Sequence, residues 1–218
     1  MNENTVNNIY EVGPANNQKP ESLVIFLHGL GSNGQDLISL APMFSKQLPS
    51  TVFVSPDAPF PCDMVPPGYP NSYQWFSLQD RDPDKVLAGV EHVAPIVDDF
   101  IVQEAEKYGV PFNKIALVGF SQGTMLSLYV ATRFKEKLAG VLGYSGAMVG
   151  LPGESKVPVH IVHGEADDVV PVSAYHDARQ LLEKCGFNVS GHTSPDLQHS
   201  INEIGIKSGA GFLRSVFS

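Results

Sequence analysis

The chain carries one pentapeptide whose residue types and spacing could do covalent chemistry: Gly119-Phe120-Ser121-Gln122-Gly123. It follows the β-branched run Ile115-Ala116-Leu117-Val118 and precedes an apolar stretch, Thr124 to Arg133, that is almost free of charge. Strand, tight turn and buried helix are the context in which G-x-S-x-G forms a nucleophile elbow. Glycines at both ends let the start of the helix pass close to the end of the strand. The turn then pushes the Ser121 hydroxyl out at the top of a sheet. A serine hydroxyl is a poor nucleophile at neutral pH, so it needs a base, and the base needs an orienting carboxylate.

On an elbow of this type the acid and then the histidine follow the serine in the chain. That order leaves His176, His192 and His199 as candidate bases. His176 falls in a helical pattern and His192 in a strand pattern. His199 lies in a loop before the last helix, where it can reach a serine past a sheet end. The acid must come from His163-Gly164-Glu165-Ala166-Asp167-Asp168-Val169-Val170-Pro171, in which Glu165, Asp167 and Asp168 compete. Position alone does not choose between the two aspartates. His163 is expected to support this loop. The oxyanion of acyl transfer needs preorganised N–H donors. One is the backbone N–H of Gln122, and the other is that of Leu30 in His28-Gly29-Leu30-Gly31, the loop after the first core strand. His28 is expected to hold that loop.

The elements that must position these residues alternate along the chain. Leu23–Leu27 is a continuous apolar run, as in a parallel strand buried on both faces. Strands are also predicted at Val52–Val54, Leu138–Leu142, Val159–Val162 and, more weakly, Phe187–Thr193. A short edge strand is predicted around Ile9–Val12. Helical spacing runs through Leu37, Leu40, Ala41 and Phe44, through Ala174–Lys184, and through Ile201–Phe217. Val86, Val90, Val93, Val97 and Ile101 mark an amphipathic helix that Pro95 should kink or split. Asp98, Asp99, Glu104 and Glu106 read as its solvated face. The whole is an α/β protein: an open, mostly parallel sheet with helices on both faces, in one domain over residues 1–218. Residues 1–20 form a polar N-terminal segment. Ligands on such sheets bind at the carboxyl ends of the strands.

Residues 56–77 break the alternation. Six prolines fall between Pro56 and Pro70, yet the segment also carries Phe60, Met64, Tyr69, Tyr73, Trp75 and Phe76. A loop of this length with apolar content points to a functional loop.

Four of these motifs, L-H-G-L-G (27–31), G-F-S-Q-G (119–123), H-G-E-A-D-D-V-V-P (163–171) and Q-H-S (198–200), resemble the phospholipase/carboxylesterase family in order and spacing. That group of small α/β-hydrolases includes the acyl-protein thioesterases and bacterial carboxylesterases, and the resemblance runs from about residue 20 onward. It implies an α/β-hydrolase fold without a large cap domain. It assigns the acid to Asp167, four residues after His163. Asp168 stands where the family often has proline, and it is the alternative acid. The 56–77 loop resembles the family's acyl-binding flap and is closer to the bacterial esterase type, which implies substrate-binding roles for Met64, Trp75 and Phe76. Trp75 could equally anchor the loop to the core. The implied activity is cleavage of carboxylic esters of short to medium acyl chain. The alternative is an acyl-protein thioesterase or lysophospholipase acting on long-chain thioesters or esters.

No metal or organic cofactor is required by this chemistry. The chain has 218 residues and a formal net charge of −9, which argues against nucleic acid or an anionic membrane as the main partner. The expected partner is a small or lipid-like acyl ester. The apolar loop leaves room for a homodimer contact. Two cysteines, Cys62 and Cys185, make no disulfide framework. Neither a signal peptide pattern nor an apolar run of membrane-spanning length is present, so a cytoplasmic protein is expected.

Overall fold

The structure, a computed structural model, describes residues 5–218. The first four residues of the polar segment 1–20 lie outside the described residues. In chain order the elements are β1 (Ile9–Val12), β2 (Ser22–Leu27), α1 (Gly34–Ile38), α2 (Ala41–Ser45), β3 (Thr51–Pro56), β4 (Phe60–Pro61), β5 (Tyr73–Gln74) and α3 (Pro83–Tyr108). They continue with β6 (Ile115–Phe120), α4 (Gln122–Ala131), β7 (Gly140–Tyr144), β8 (Val159–Gly164), α5 (Ser173–Lys184), β9 (Val189–Ser194) and α6 (Glu203–Phe217).

Seven strands make one sheet in the order β1-β3-β2-β6-β7-β8-β9. All neighbours are parallel except β1, which runs antiparallel to β3 and closes that edge. Alternation along β2 shows the layering. Leu23, Ile25 and Leu27 pack with residues of α3, α4 and α5, whereas Val24 and Phe26 pack with residues of α1, α2 and α6. Both faces are therefore covered by helices, which is why the central strands read as unbroken apolar runs.

This order reverses at β2. The chain passes from β2 outward to β3, then returns to β6 on the other side and proceeds to β9. Loops leaving β2 and β6 therefore part in opposite directions and leave a crevice between them. The register pairs Leu27 with Gly119, so the two strand ends lie level. The loop at 28–33 and Ser121 face each other across that crevice for this reason.

Three expectations need correction. Pro95 does not split α3, which is continuous from Pro83 to Tyr108. Pro95 is exposed, as is Glu91 four residues before it, so the carbonyl that loses its helical donor can turn to water. The supposed solvated face of α3 is mixed. Glu104 is buried beside Lys107, at 3.4 Å, and burial pushes the half-buried Asp98 up to about 6, helped by neighbouring Asp99. The strand predicted at Leu138–Leu142 lies at Gly140–Tyr144, because Ala139 N–H already turns to Ile115 O before the ladder with β6 begins.

Candidate active site

At the end of β6 the chain turns so sharply that Ser121 takes φ 54° and ψ −116°. This is an outlying conformation for a residue with a side chain. Its N–H is held by Tyr144 O at 2.9 Å. Thr124 Oγ1 donates to the same carbonyl at 2.8 Å and accepts from Tyr144 N at 3.0 Å, so β7 fixes the turn from below. A side chain at position 123 is excluded, since a Cβ there would sit 1.8 Å from Leu27 O. Gln122 opens α4, so its N–H is among those with no intrahelical acceptor.

His199 and Asp167 are brought together by the ends of β8 and β9. Gly164 pairs with Ser194, so these strands also finish level. Beyond them Glu165 N donates to Ser194 O at 2.9 Å and Ala166 N to Leu197 O at 3.0 Å, which zips the two loops together. Gly164 has to be glycine for this approach, because a Cβ would meet Leu197 O at 2.1 Å. The result is a 2.8 Å hydrogen bond between His199 Nδ1 and Asp167 Oδ2.

The other Asp167 oxygen accepts from Val169 N at 3.0 Å and Val170 N at 2.8 Å. Burial alone would raise this carboxyl. The bonds from His199, Val170 and Val169 outweigh it and hold the group below its ordinary value, so it is ionised at neutral pH. A carboxylate can only accept, so His199 Nδ1 carries the hydrogen of this bond and Nε2 is the ring nitrogen left for a second partner. Asp168 is exposed, and the carboxylate of Glu165 is taken by Thr193 Oγ1 at 2.6 Å. The Phe120 ring lies 4.8 Å from the His199 ring and backs its face. The candidate bases excluded by pattern, His176 and His192, sit in α5 and β9 respectively.

Ser121 and His199 line one cavity of about 620 Å³, together with Leu30. Its far walls are largely apolar: Leu78 and Val86, Met125, Met148, and Val169. Met64, Trp75 and Phe76 are not among the lining residues. Met64 is 54% exposed at the tip of the 56–77 segment. Trp75 is fully buried with its indole N–H on His28 O at 2.9 Å, and Phe76 packs under Gly89 of α3. The alternative of Trp75 as an anchor describes its position.

The segment around Trp75 runs along the 28–33 loop instead. Gly31 N donates to Tyr73 O at 2.8 Å, Tyr73 N to Ser32 O at 2.9 Å, and Ser72 Oγ to Gly31 O at 2.9 Å. The Gln122 side chain joins the same set: its Oε1 accepts from Trp75 N at 2.9 Å and its Nε2 donates to Phe76 O at 2.7 Å. Sequence reasoning gave this side chain no role. Nor did it assign the cavity walls at 78–86 and 147–150: Leu78 and residues 147–150 lie outside helices and strands, and the helical spacing of Val86 marks a buried face without saying that it borders a cavity.

A strained serine and a histidine on one cavity, with an ionised carboxylate hydrogen-bonded to the histidine, form an arrangement that suits acyl transfer. The chain matches the phospholipase/carboxylesterase family model over residues 8–217. It belongs to that family. It is therefore a carboxylic ester hydrolase of the α/β-hydrolase fold. A crystal structure of esterase PE8 superposes with a TM-score of 0.89 at 34% identity, covering 97% of this chain and 99% of that one. Among curated relatives, acyl-protein thioesterase 1 of Neurospora crassa is 31% identical over 200 residues, 81% of this chain and 79% of its own length. Esterase YpfH of Escherichia coli is 26% identical over 196 residues, 89% of this chain and 82% of its own.

Proposed function

We propose that the protein cleaves carboxylic esters of short to medium acyl chain through a Ser121-His199-Asp167 triad and an acyl-enzyme. The 2.8 Å bond between Asp167 and His199, with His199 and Ser121 on one cavity, is the observation that carries this reading. Ser121 attacks the ester carbonyl while His199 Nε2 takes its proton. Asp167 keeps His199 in the tautomer that presents Nε2 and stabilises the imidazolium. The N–H groups of Leu30 and Gln122 hold the tetrahedral oxyanion. His199 returns the proton to the leaving alcohol. Water repeats the sequence on the acyl-enzyme, with His199 again as base.

A second reading, hydrolysis of long-chain thioesters or lysophospholipids, is supported by two observations. One relative is an acyl-protein thioesterase. The cavity is also lined mostly by apolar residues, among them Leu78, Val86, Met125, Met148 and the exposed Val169. Two free cysteines suit a reducing compartment, the cytoplasm. Among the described residues no helix is long and apolar enough to cross a membrane.

A panel of p-nitrophenyl esters from acetate to palmitate, with matched thioesters, tests both readings. Ser121→Ala should lose roughly 10⁴-fold or more of kcat with an unchanged circular dichroism spectrum. Near wild-type turnover in that variant would end the triad reading. An optimum at or beyond twelve carbons would favour the second reading.

A further inference from the structure

We infer that Arg81 makes this enzyme select esters carrying a carboxylate at a distance from the scissile bond. The inference rests on the reading that Ser121 attacks the substrate in this cavity. Arg81 lines the same cavity as Ser121 and His199, and it is the one residue of that lining with a permanent charge. Around it the wall is Leu78, Pro83 and Val86. A small number of placed polar groups in an otherwise apolar pocket is what orients a ligand.

The guanidinium is unspent. Among the described residues Arg81 makes no ion pair within 4.0 Å and no hydrogen bond. Arg81 is exposed, so these donors are open to solvent or to a ligand in the cavity. Asp80, Asp82 and Asp84 are its close neighbours, but two of these carboxylates are used by the backbone. Asp82 Oδ1 caps α3 by accepting from Asp84 N at 3.0 Å, and Asp80 Oδ1 accepts from Asp82 N at 3.0 Å. These turns fix the segment that carries Arg81 into the cavity wall while leaving its five donors free. A planar fork of this kind matches a carboxylate bidentately. The net charge of −9 repels anionic substrates in general, so any preference for them must come from a local cation.

The carboxylate could be borne on the far end of the acyl chain or on the alcohol. Two substrate pairs separate these sources. In the acyl arm, the mono-p-nitrophenyl ester of suberate is compared with p-nitrophenyl octanoate, which has the same chain length. In the alcohol arm, 4-(octanoyloxy)benzoate is compared with its neutral benzamide. In one arm the wild type should favour the anionic member about five- to tenfold in kcat/KM, through KM. Arg81→Met should abolish that ratio and leave the neutral ester within twofold, and Arg81→Lys should keep part of it. Equal ratios in wild type and Arg81→Met, in both arms, overturn the inference while the esterase reading stands. Failure of the wild type to hydrolyse either member of either pair overturns both.

Discussion

Two loops of this molecule begin alike and end differently. His28-Gly29 follows β2, and His163-Gly164 are the last two residues of β8. Both histidines are fully buried, and burial pushes both imidazoles below their ordinary value, so both are neutral at pH 7. His28 Nε2 accepts from Ala58 N at 3.0 Å, so its proton is on Nδ1, which meets Gly29 O at 2.7 Å. His163 is the opposite tautomer: Nε2 donates to Val170 O at 2.8 Å, and Asp167 Oδ2 lies 3.5 Å from the same nitrogen. Each histidine thus satisfies a loop carbonyl, although His163 Nδ1 is itself buried without a hydrogen-bond partner among the described residues.

Their surroundings then diverge. The first loop is braced by bonds with Ser72, Tyr73 and Trp75, Gln122 in turn holding Trp75 and Phe76, and it offers the cavity little beyond Leu30. The second supplies the carboxylate and also part of the apolar wall, through Val169, Val170 and Pro171. A loop can therefore serve by holding an N–H still or by presenting side chains, and the same dipeptide starts both. The proline-rich 56–77 segment belongs to the first kind. Its aromatic residues stiffen the loop beside the serine and do not form the cavity.

The strongest way to break the comparison is at the acid. Asp167→Asn should lower kcat roughly 10⁴-fold, because the histidine would then present the wrong tautomer. Asp168→Asn, one residue on and exposed, should change kcat less than tenfold in the same assay. The reverse order would place the acid at Asp168.

Next comes the brace. Gln122→Leu leaves Trp75 N–H and Phe76 C=O buried without partners, at a cost of about 1–3 kcal/mol for each group. Urea titration should show that loss. kcat should fall more than KM changes, since an oxyanion donor acts mainly in the transition state. Unchanged kcat would mean that the brace is purely structural.

The two neutral histidines make a smaller prediction about acid. Their ordinary value is 6.5, and in the fold both lie below it. Below about pH 6.5 the unfolded chain binds protons that the folded chain does not. The stabilisation is complete above that pH and is lost as the pH falls. His163→Gln keeps a donor for Val170 O but cannot titrate. Its stability should decline less steeply between pH 6.5 and 5, by up to about 1.4 kcal/mol per pH unit. A parallel decline in wild type and variant would rule His163 out as a contributor.

The smallest effect separates the loops as walls. Val169→Ala should alter the acyl-chain-length profile by about tenfold or less. Met64→Ala should leave that profile as it is and change stability by no more than about 0.5 kcal/mol.

Much of the fold was legible because parallel strands buried on both faces leave unbroken apolar runs, as Leu23–Leu27 and Ile115–Val118 do. The conformation of Ser121 was legible for a related reason. Gly119, Gly123 and the flanking strand and helix leave the backbone one way to turn. Asp167 was not separable from Asp168 by position. Only the fold turns one inward, onto two N–H groups and a histidine, and leaves the other in solvent.

Local chemistry was thus written in the chain itself: a strand, a glycine-flanked serine, and a histidine and acid in the right order. What the tertiary structure alone decided is which apolar side chains meet across the cavity and which stay beneath the site. Trp75, Met64 and Val169 are all apolar or aromatic residues in loops, with no period to mark a face. Bonds donated by the Trp75 backbone and indole N–H groups to Gln122 Oε1 and His28 O hold the first in the core, no such bond draws in the second, and the bonds of Val169 and Val170 to Asp167 set the third at the cavity's edge. Contacts between residues tens or hundreds of positions apart made that choice, and a linear sequence records no such contact until the chain has closed on itself.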